Sequence, residues 1–169
     1  MYPISNTVKA LFDAENRQVL RITGIDKNGI AINITDENVA MNGFNIDRYS
    51  CNNERIEIAQ RDLSYHNLPQ LPQDVVEFLK LYNGLQTEGR TIFGIDSEKH
   101  FFYDIIGENL NAKLEDSQDI LLLGETDVTW IGWIISENSY AIIDKDMRKV
   151  LHKLDNFVNA VKYILQIDE

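Results

Sequence analysis

The stretch LPQLPQDVVEFLKLYNG, residues 68–84, predicts the clearest helix of the chain. Pro69 and Pro72 prevent a helix from running in from upstream, because proline lacks an amide donor and restricts the residue before it. An apolar stripe at positions i, i+3, i+4 and i+7 then predicts the buried face: Val75, Phe78, Leu79 and Tyr82. Asn83 and Gly84 predict the end of the helix, since glycine readily adopts the left-handed conformation that follows one.

The first 60 residues predict mostly antiparallel strands. Residues 19–24 and 30–34 alternate apolar and other side chains on either side of a turn sequence at 26–29, which is the pattern of a β-hairpin. Phe44 and Ile46 alternate with polar neighbours in the same way. This part of the chain is therefore expected to be rich in β-structure.

Two segments of this N-terminal part fit a helical pattern. Residues 1–16 match a short helix through Leu11 and Phe12. Residues 55–63 match both periods, since Ile56 and Ile58 alternate as in a strand, whereas Ile56, Ala59 and Leu63 share one face of a helix. We predict a strand at 55–63.

Beyond residue 84, short strands alternate with helices. We predict strands at 91–93 and 120–123, a helix at 104–114, and a meander of strands from Thr129. Asp155 is expected to cap a last helix. The buried face of that helix combines five apolar residues: Phe157, Val158, Val161, Ile164 and Leu165.

Length and composition allow one domain, or a domain with a small companion, because 169 residues at 44% hydrophobic content can bury a core. The longest apolar runs are too short to cross a bilayer. Residues 1–17 lack the basic, apolar and small-residue pattern of a signal peptide, so we expect a cytoplasmic protein. The single cysteine, Cys51, cannot form an internal disulfide or a thiolate metal site by itself.

The net charge of −11 is concentrated in the second part of the chain. Residues 1–66 carry 7 basic and 9 acidic side chains, whereas residues 67–169 carry 9 and 18. Such a negative field repels nucleic acid and attracts basic partners. The alternative is that the acidic charge only keeps the protein in solution.

Motifs for catalysis and metal binding are missing from the sequence. His66, His100 and His152 are far apart and belong to no HExxH pattern. Asp96, Glu98 and His100 alternate and could share one face of an extended strand, where they could hold a cation or simply be solvated. No GxSxG, SxxK, GxGxxG or P-loop spacing occurs. We therefore expect neither an enzyme, nor a metal site, nor a bound cofactor.

Trp130 and Trp133 are expected on opposite faces of one strand, because three positions along a strand change the side. Only one of them can then lie fully in the core. Both can be packed by the sheet and its helices, or one can be exposed as an interface aromatic.

Residues 68–169 resemble the SUKH superfamily, a group of immunity proteins that includes yeast cell-wall-synthesis regulators of the Smi and Knr type. The resemblance lies in a series of motifs in a common order. They are LPQDVVEFLKLYNG at 71–84, RTIFG at 90–94, Asp104-Ile105-Ile106 with Glu108-Asn109, the stretch at 124–133, YAIID at 140–144 and LDNFVNAVKYIL at 154–165. Proteins of this kind usually begin with a helix directly before the Leu-Pro, where we predict a strand.

This resemblance implies an α+β fold, in which helices pack against an antiparallel sheet, preceded here by a β-rich N-terminal segment. We expect a β-rich extension at 1–66, packed on a SUKH-like domain at 67–169. In bacteria, members of the superfamily typically act as antidotes that bind and block toxin domains, often nucleases. The resemblance thus implies a non-enzymatic binding protein.

The first functional hypothesis is a cytoplasmic immunity protein that occludes a basic toxin. Nuclease surfaces are basic because they hold phosphate, so an acidic surface gains both steering and exclusion of substrate. The partner is expected to be a protein, and neither a nucleic acid nor a membrane. The candidate contacts are acidic residues on loops of the second part: Glu88, Asp96, Glu98, Glu125 and Asp127.

The alternative hypothesis is a structural or regulatory interaction protein of prophage origin. Residues 34–59 resemble a β-rich segment of tail and baseplate proteins from phages of Gram-positive bacteria. The genetic neighbourhood separates the two hypotheses, because tail genes favour the alternative and a toxin gene favours an immunity protein.

Overall fold

The computed structural model describes residues 11–12, 19–25, 31–35, 51–87, 89–95, 104–115 and 118–165. In the N-terminal part there are three strands: β1 (Leu11–Phe12), β2 (Val19–Ile25) and β3 (Ala31–Thr35). The rest contains four helices: α1 (Asn53–Tyr65), α2 (Gln73–Leu81), α3 (Ile105–Ala112) and α4 (Phe157–Leu165). Six further strands complete the described elements: β4 (Leu85–Thr87), β5 (Arg90–Ile92), β6 (Ile120–Thr126), β7 (Thr129–Ile134), β8 (Ser139–Asp144) and β9 (Val150–Leu154).

Strands β4 to β9 form one antiparallel sheet in sequence order. Each strand therefore pairs with its neighbours along the chain, and β4 and β9 are the two ends of the order. Strands β1 to β3 form a second antiparallel sheet, and β2 and β3 are the hairpin expected at 19–34. The expected α+β class, with helices packed against an antiparallel sheet after a β-rich segment, is confirmed.

Helix α1 corrects the strand predicted at 55–63. The side chain of Asn52 accepts a hydrogen bond of 2.9 Å from the backbone N–H of Arg55 and so caps the helix. Ile56, Ala59 and Leu63 are buried in the core, whereas Ile58 is half-buried. Residues 55–63 form a helix because the helical period buries three apolar side chains on one face.

The core joins α1 to the predicted second domain. One cluster of buried side chains runs from Cys51 through α1 to Ile164 in α4. The backbone N–H of Cys51 also donates to the carbonyl oxygen of Leu79 at 2.8 Å. Residues 51–66 thus share a core with the part that begins at 67.

Other N-terminal expectations meet the structure only in part. Leu11 and Phe12 belong to β1, which pairs with β2, so these two residues form a strand and not the short helix that their spacing also allows. Residues 53–59, the end of the segment that resembles phage tail proteins, are helical. Phe44 and Ile46 lie outside the described residues.

Helix α2 follows the sequence prediction closely. It starts directly after Pro72, and Tyr82 is already extended. Each residue of its apolar stripe is at most 2% exposed: Val75, Phe78, Leu79 and Tyr82. Burying such side chains stabilises the fold by about 1.5–3 kcal/mol each. Gly84 has φ +81°, and a Cβ atom there would lie 2.7 Å from the carbonyl oxygen of Ile92, so only glycine fits.

The other helices show where capping residues act. Asp104 caps α3, as its carboxylate accepts from the backbone N–H groups of Ile106 and Gly107 at 2.8 and 3.0 Å. Asp155 does not cap α4, contrary to the prediction. The buried side chain of Asn156 accepts from the N–H of Asn159 at 3.0 Å, one residue further along.

Three carboxamide side chains each make two hydrogen bonds to the backbone of one distant residue, and we call these contacts carboxamide clamps. Gln60 clamps Leu71: its Oε1 atom accepts from the backbone N–H of Leu71 at 2.7 Å, and its Nε2 atom donates to the carbonyl oxygen of Leu71 at 3.3 Å. Asn83 clamps Ile95 at 2.6 and 2.8 Å. Asn109 clamps Leu122 at 2.8 and 2.9 Å and also donates to Ile105. Each clamp satisfies an N–H and a carbonyl that no strand pairs.

The two tryptophans lie on opposite faces of β7, as predicted, and both are half-buried against the core. The ring of Trp133 packs against that of Tyr140, with 4.9 Å between the ring centroids. The ring of Tyr140 in turn packs against that of Phe157 in α4, with 5.5 Å between the centroids. Trp130 lies instead under the guanidinium of Arg148, 5.7 Å from the ring centroid. Neither tryptophan is fully in the core.

Replacing Asn109 tests the clamp on β6. Asn109→Ala leaves the N–H and carbonyl of Leu122 buried without a partner, so we expect a loss of about 2–4 kcal/mol in the free energy of unfolding. Urea unfolding measures it. Asn111→Ala, an exposed asparagine of the same helix, is the control and should change stability by less than about 0.5 kcal/mol. Equal effects of the two substitutions would contradict the clamp.

Tyr140 makes stability depend on alkaline pH. Burial, and then the negative charge and hydrogen bond of Asp74, raise the pKa of its hydroxyl well above the usual value of about 10. Above about pH 10 only the unfolded state ionises readily, so the free energy of unfolding should fall as pH rises. Tyr140→Phe should cost about 1–2 kcal/mol at neutral pH and flatten this alkaline loss, measured by urea unfolding.

The control for that prediction is Tyr65→Phe, since Tyr65 is 82% exposed. An alkaline loss as steep in Tyr140→Phe as in the unsubstituted protein would show that another group causes it.

Candidate protein-binding surface

The turns at one end of the sheet bring together loops that are far apart in sequence. Thr87 pairs with Arg90 across the β4–β5 hairpin, and Arg90 pairs with Thr126 at the end of β6. Thr129 begins β7 and pairs with Asp144 at the end of β8. The β4–β5, β6–β7 and β8–β9 turns therefore lie side by side, and we call this region the turn end.

Glu125 is one of the predicted contact residues at the turn end. Its carboxylate oxygen lies 2.8 Å from Nζ of Lys145, and the two side chains are only 22% and 24% exposed. The backbone N–H of Lys145 also donates to the carbonyl oxygen of Val128 at 3.0 Å. This ion pair fixes the β8–β9 turn against β6 and offsets the negative charge of Glu125.

Asp127 is the second predicted contact residue at the turn end, and it is exposed on the β6–β7 turn. Its carboxylate oxygen lies 3.0 Å from the position that a Cβ atom on Gly89 would take, and Gly89 has φ +79°. A larger residue at 89 is therefore disfavoured by both backbone and space. The neighbouring Val128 is 66% exposed, so the turn presents a carboxylate beside an apolar side chain.

Hydroxyl groups hold the β6–β7 turn in one conformation. The Oγ1 atoms of Thr126 and Thr129 lie 2.6 Å apart, and Oγ1 of Thr129 lies 3.1 Å from the hydroxyl oxygen of Tyr163 in α4. Oγ1 of Thr126 also accepts from the N–H of Thr129 at 3.1 Å. On the next strand, Arg90 donates to the carbonyl oxygen of Ile164 at 3.2 Å. The turn is thus anchored to α4 and pre-organised for contact.

The structure brings together two of the five predicted contact residues. Glu125 and Asp127 lie at the turn end, but Glu125 is engaged by Lys145, so Asp127 is the one with an exposed carboxylate. Glu88, Asp96 and Glu98 lie outside the described residues. Sequence reasoning missed Lys145 and Val128, and no local pattern points to Lys145 because it is 20 residues from Glu125.

The described residues offer little for metal or small-molecule chemistry. Within them, no group of three or more His, Cys, Asp and Glu side chains is placed to hold a metal ion. His100, Asp96 and Glu98, which alternate in sequence, lie outside them. The carboxylate of Asp144 accepts from the N–H of Met147 at 2.7 Å and so closes the β8–β9 turn. Cys51 is buried at 3% exposure.

The apolar contact between α4 and the sheet is closely packed. Its small void leaves no room for a water-sized molecule. The residues around it come from the sheet and from α4: Ile92, Leu123, Gly124, Ile131, Phe157, Ala160, Val161 and Ile164. This contact serves as core.

Among the described helices, none is both long and apolar enough to cross a bilayer. Neither the protein-family models, nor the curated proteins, nor the solved structures contain a match to this chain.

A double-mutant cycle on Glu125 and Lys145 tests the ion pair that fixes the turn end. Glu125→Gln, Lys145→Met and the double variant should give a coupling free energy of about 0.5–1 kcal/mol, because the pair is largely shielded from water. The coupling should fall when salt is raised to about 1 M. Thermal or urea unfolding measures it.

The matched control is the pair Glu77 and Lys80 on α2, whose side chains are 36% and 37% exposed. Its coupling should be near 0.3 kcal/mol or less. A smaller coupling for Glu125 and Lys145 than for this exposed pair would contradict a turn end fixed by charge.

Proposed function

We propose that this chain is a non-enzymatic binding protein, an immunity protein of the SUKH type that blocks a basic toxin domain. The observation that carries the proposal is the anchored β6–β7 turn, on which Asp127 and Val128 project from a rigid sheet end. A carboxylate beside an exposed apolar side chain can pair with a cation and exclude water around it. Such a turn suits recognition of a protein surface.

The order of the elements also supports the proposal. Helix α1 precedes Leu71 and Pro72, where proteins of this family usually carry a helix and the sequence pattern favours a strand. Helix α2, the β4–β5 hairpin, α3, the β6–β8 meander and α4 follow in the order of the matching motifs.

The electrostatic argument favours a basic partner. Residues 67–169 hold 18 acidic against 9 basic side chains, and this field accelerates encounter with a positive surface. A nuclease domain presents such a surface where it holds the phosphate backbone. Bound over it, an acidic protein excludes the substrate without chemistry of its own. Glu88, Asp96 and Glu98 stay candidate contacts in addition to Asp127.

The test is co-expression with the toxin domain encoded by the neighbouring gene. The chain should be captured with that domain and should restore growth of cells that produce it. Asp127→Lys should weaken the complex about tenfold or more, mainly through slower association, measured by surface plasmon resonance. Glu57→Lys, which makes the same charge change on the exposed face of α1, should leave the affinity within about twofold.

Two outcomes would overturn the proposal. In one, the chain neither captures the toxin domain nor restores growth. In the other, Asp127→Lys and Glu57→Lys weaken the complex equally, which assigns the effect to net charge and not to the turn end. Neighbouring genes for phage tail proteins would favour the prophage alternative instead.

A further inference from the structure

The segment MRKVLHK, residues 147–153, is a basic strip on an acidic protein. It leads into and includes most of β9, and it contains Arg148, Lys149 and Lys153 but no acidic residue. Residues 67–169 have 9 basic side chains in all, so these seven positions hold a third of them. The local charge of this strip is opposite in sign to the net charge of −11.

Strand β9 is the last strand in the order of the main sheet, and among the described residues it pairs only with β8. The outer edge of such a strand carries backbone N–H and carbonyl groups that a further strand can pair. The register shifts between Ile142 and Ile143, so β9 has an additional residue at Leu151. Among the described residues, no strand pairs with the outer edge of β9 on either side of this bulge.

Apolar side chains are exposed beside the cations of this strip. Met147, Val150 and Leu151 are 62%, 41% and 49% exposed. Exposed lysines on an edge strand protect against aggregation, but that role does not require three exposed apolar neighbours. Exposed apolar side chains next to basic ones on this strand suit a ligand strand that carries both apolar and acidic residues.

A second copy of this chain is a poor occupant of the edge. Antiparallel pairing of two β9 strands about Leu151 places Lys149 of each copy opposite Lys153 of the other. Like charges opposite one another across strands are destabilising. An acidic strand instead pairs with both lysines. Charge complementarity thus selects the occupant.

Two of the basic side chains have assigned roles within the fold. Arg148 donates to the carbonyl oxygens of Ala112 and Lys113 at 3.0 and 3.5 Å and lies over Trp130. It holds the start of β9 at the end of α3. Lys153 pairs with Glu137 of the β7–β8 turn, an exposed contact that an incoming carboxylate can replace. Lys149 is exposed.

We propose that β9 binds an extended acidic segment of a partner protein by strand addition. Its backbone edge pairs with the segment, Lys149 and Lys153 bind its carboxylates, and Val150 and Leu151 pack against its apolar positions. Lys149 lies in the β8–β9 turn, but the proposal does not depend on Asp127 or on a toxin, since it requires a partner segment of opposite charge to a basic toxin.

The test uses a phage-displayed library of random twelve-residue peptides selected on the full chain. Enriched peptides should combine acidic residues with apolar or β-branched ones. The tightest one, made synthetically, should shift the backbone amide resonances of β8 and β9. Lys149→Glu/Lys153→Glu should weaken its binding about tenfold or more, and Lys149→Glu alone should do so in part.

The control is Arg55→Glu/Arg61→Glu on α1, which makes the same change in net charge and should leave peptide binding within about twofold. Thermal unfolding verifies that each variant is folded, and Lys149→Glu alone keeps the Glu137 pair intact if the double variant is unstable.

The proposal fails if no peptide is enriched, if the enriched peptides are neutral or basic, or if the two double variants weaken binding equally. It also fails if the amide shifts map away from β8 and β9. Self-association of the chain that Lys149→Glu/Lys153→Glu alters, measured by sedimentation, would assign the edge to a second copy instead.

Discussion

The carboxamide clamp is the contact on which the rest of this fold depends. Buried backbone groups outside regular structure need partners, since an unpaired one costs about 1–3 kcal/mol. Gln60, Asn83 and Asn109 each supply a donor and an acceptor to one residue, as a neighbouring strand would. They join α1 to the segment before α2, the end of α2 to the segment after β5, and α3 to β6. Two of the clamped residues, Leu71 and Ile95, lie outside the helices and strands, whereas Leu122 lies within β6.

The clamps also explain how short strands hold a rigid sheet end. Strands β4 and β5 have three residues each, too few for much stability by themselves. They are held by Asn83 and Gly84 on one side and by the pairing of β5 with β6 on the other. These contacts stabilise the turn end indirectly. The hydroxyl groups of Thr126, Thr129 and Tyr163 hold the β6–β7 turn directly. A pre-ordered turn loses little entropy on binding, which favours affinity.

The net charge of this protein does not describe its surface, because the positions of the charged side chains differ from one region to the next. The net value of −11 is unevenly distributed, since Glu125 is offset by Lys145 and β9 carries a basic strip. Asp127 on the β6–β7 turn and the basic strip at 147–153 therefore carry opposite charges.

Local sequence patterns determined much of the fold. Helix α2 follows from prolines, an apolar stripe and Asn-Gly, and the β2–β3 hairpin follows from alternation around a turn. These features depend on residues within a few positions of one another. Residues 55–63 were predicted wrongly because Ile56 fits both periods, and only burial of Ala59 and Leu63 in the shared core selects the helix. The N-cap of α4 was one residue off, since Asp155 and Asn156 are equally suited to cap and the start of the helix is set by packing.

The sequence by itself thus determined the class of fold, most of its elements and the acidic character of the second part. The tertiary structure decided which carboxylates are exposed, as Lys145 reaches Glu125 across 20 residues while Asp127 stays open. It also decided the three clamps, whose partners are 11 to 13 residues apart, and the position of β9 at the end of the sheet. The physical reason is the same in each case: a contact between residues distant in sequence leaves no periodic or local signal, because it forms only when separate elements pack together.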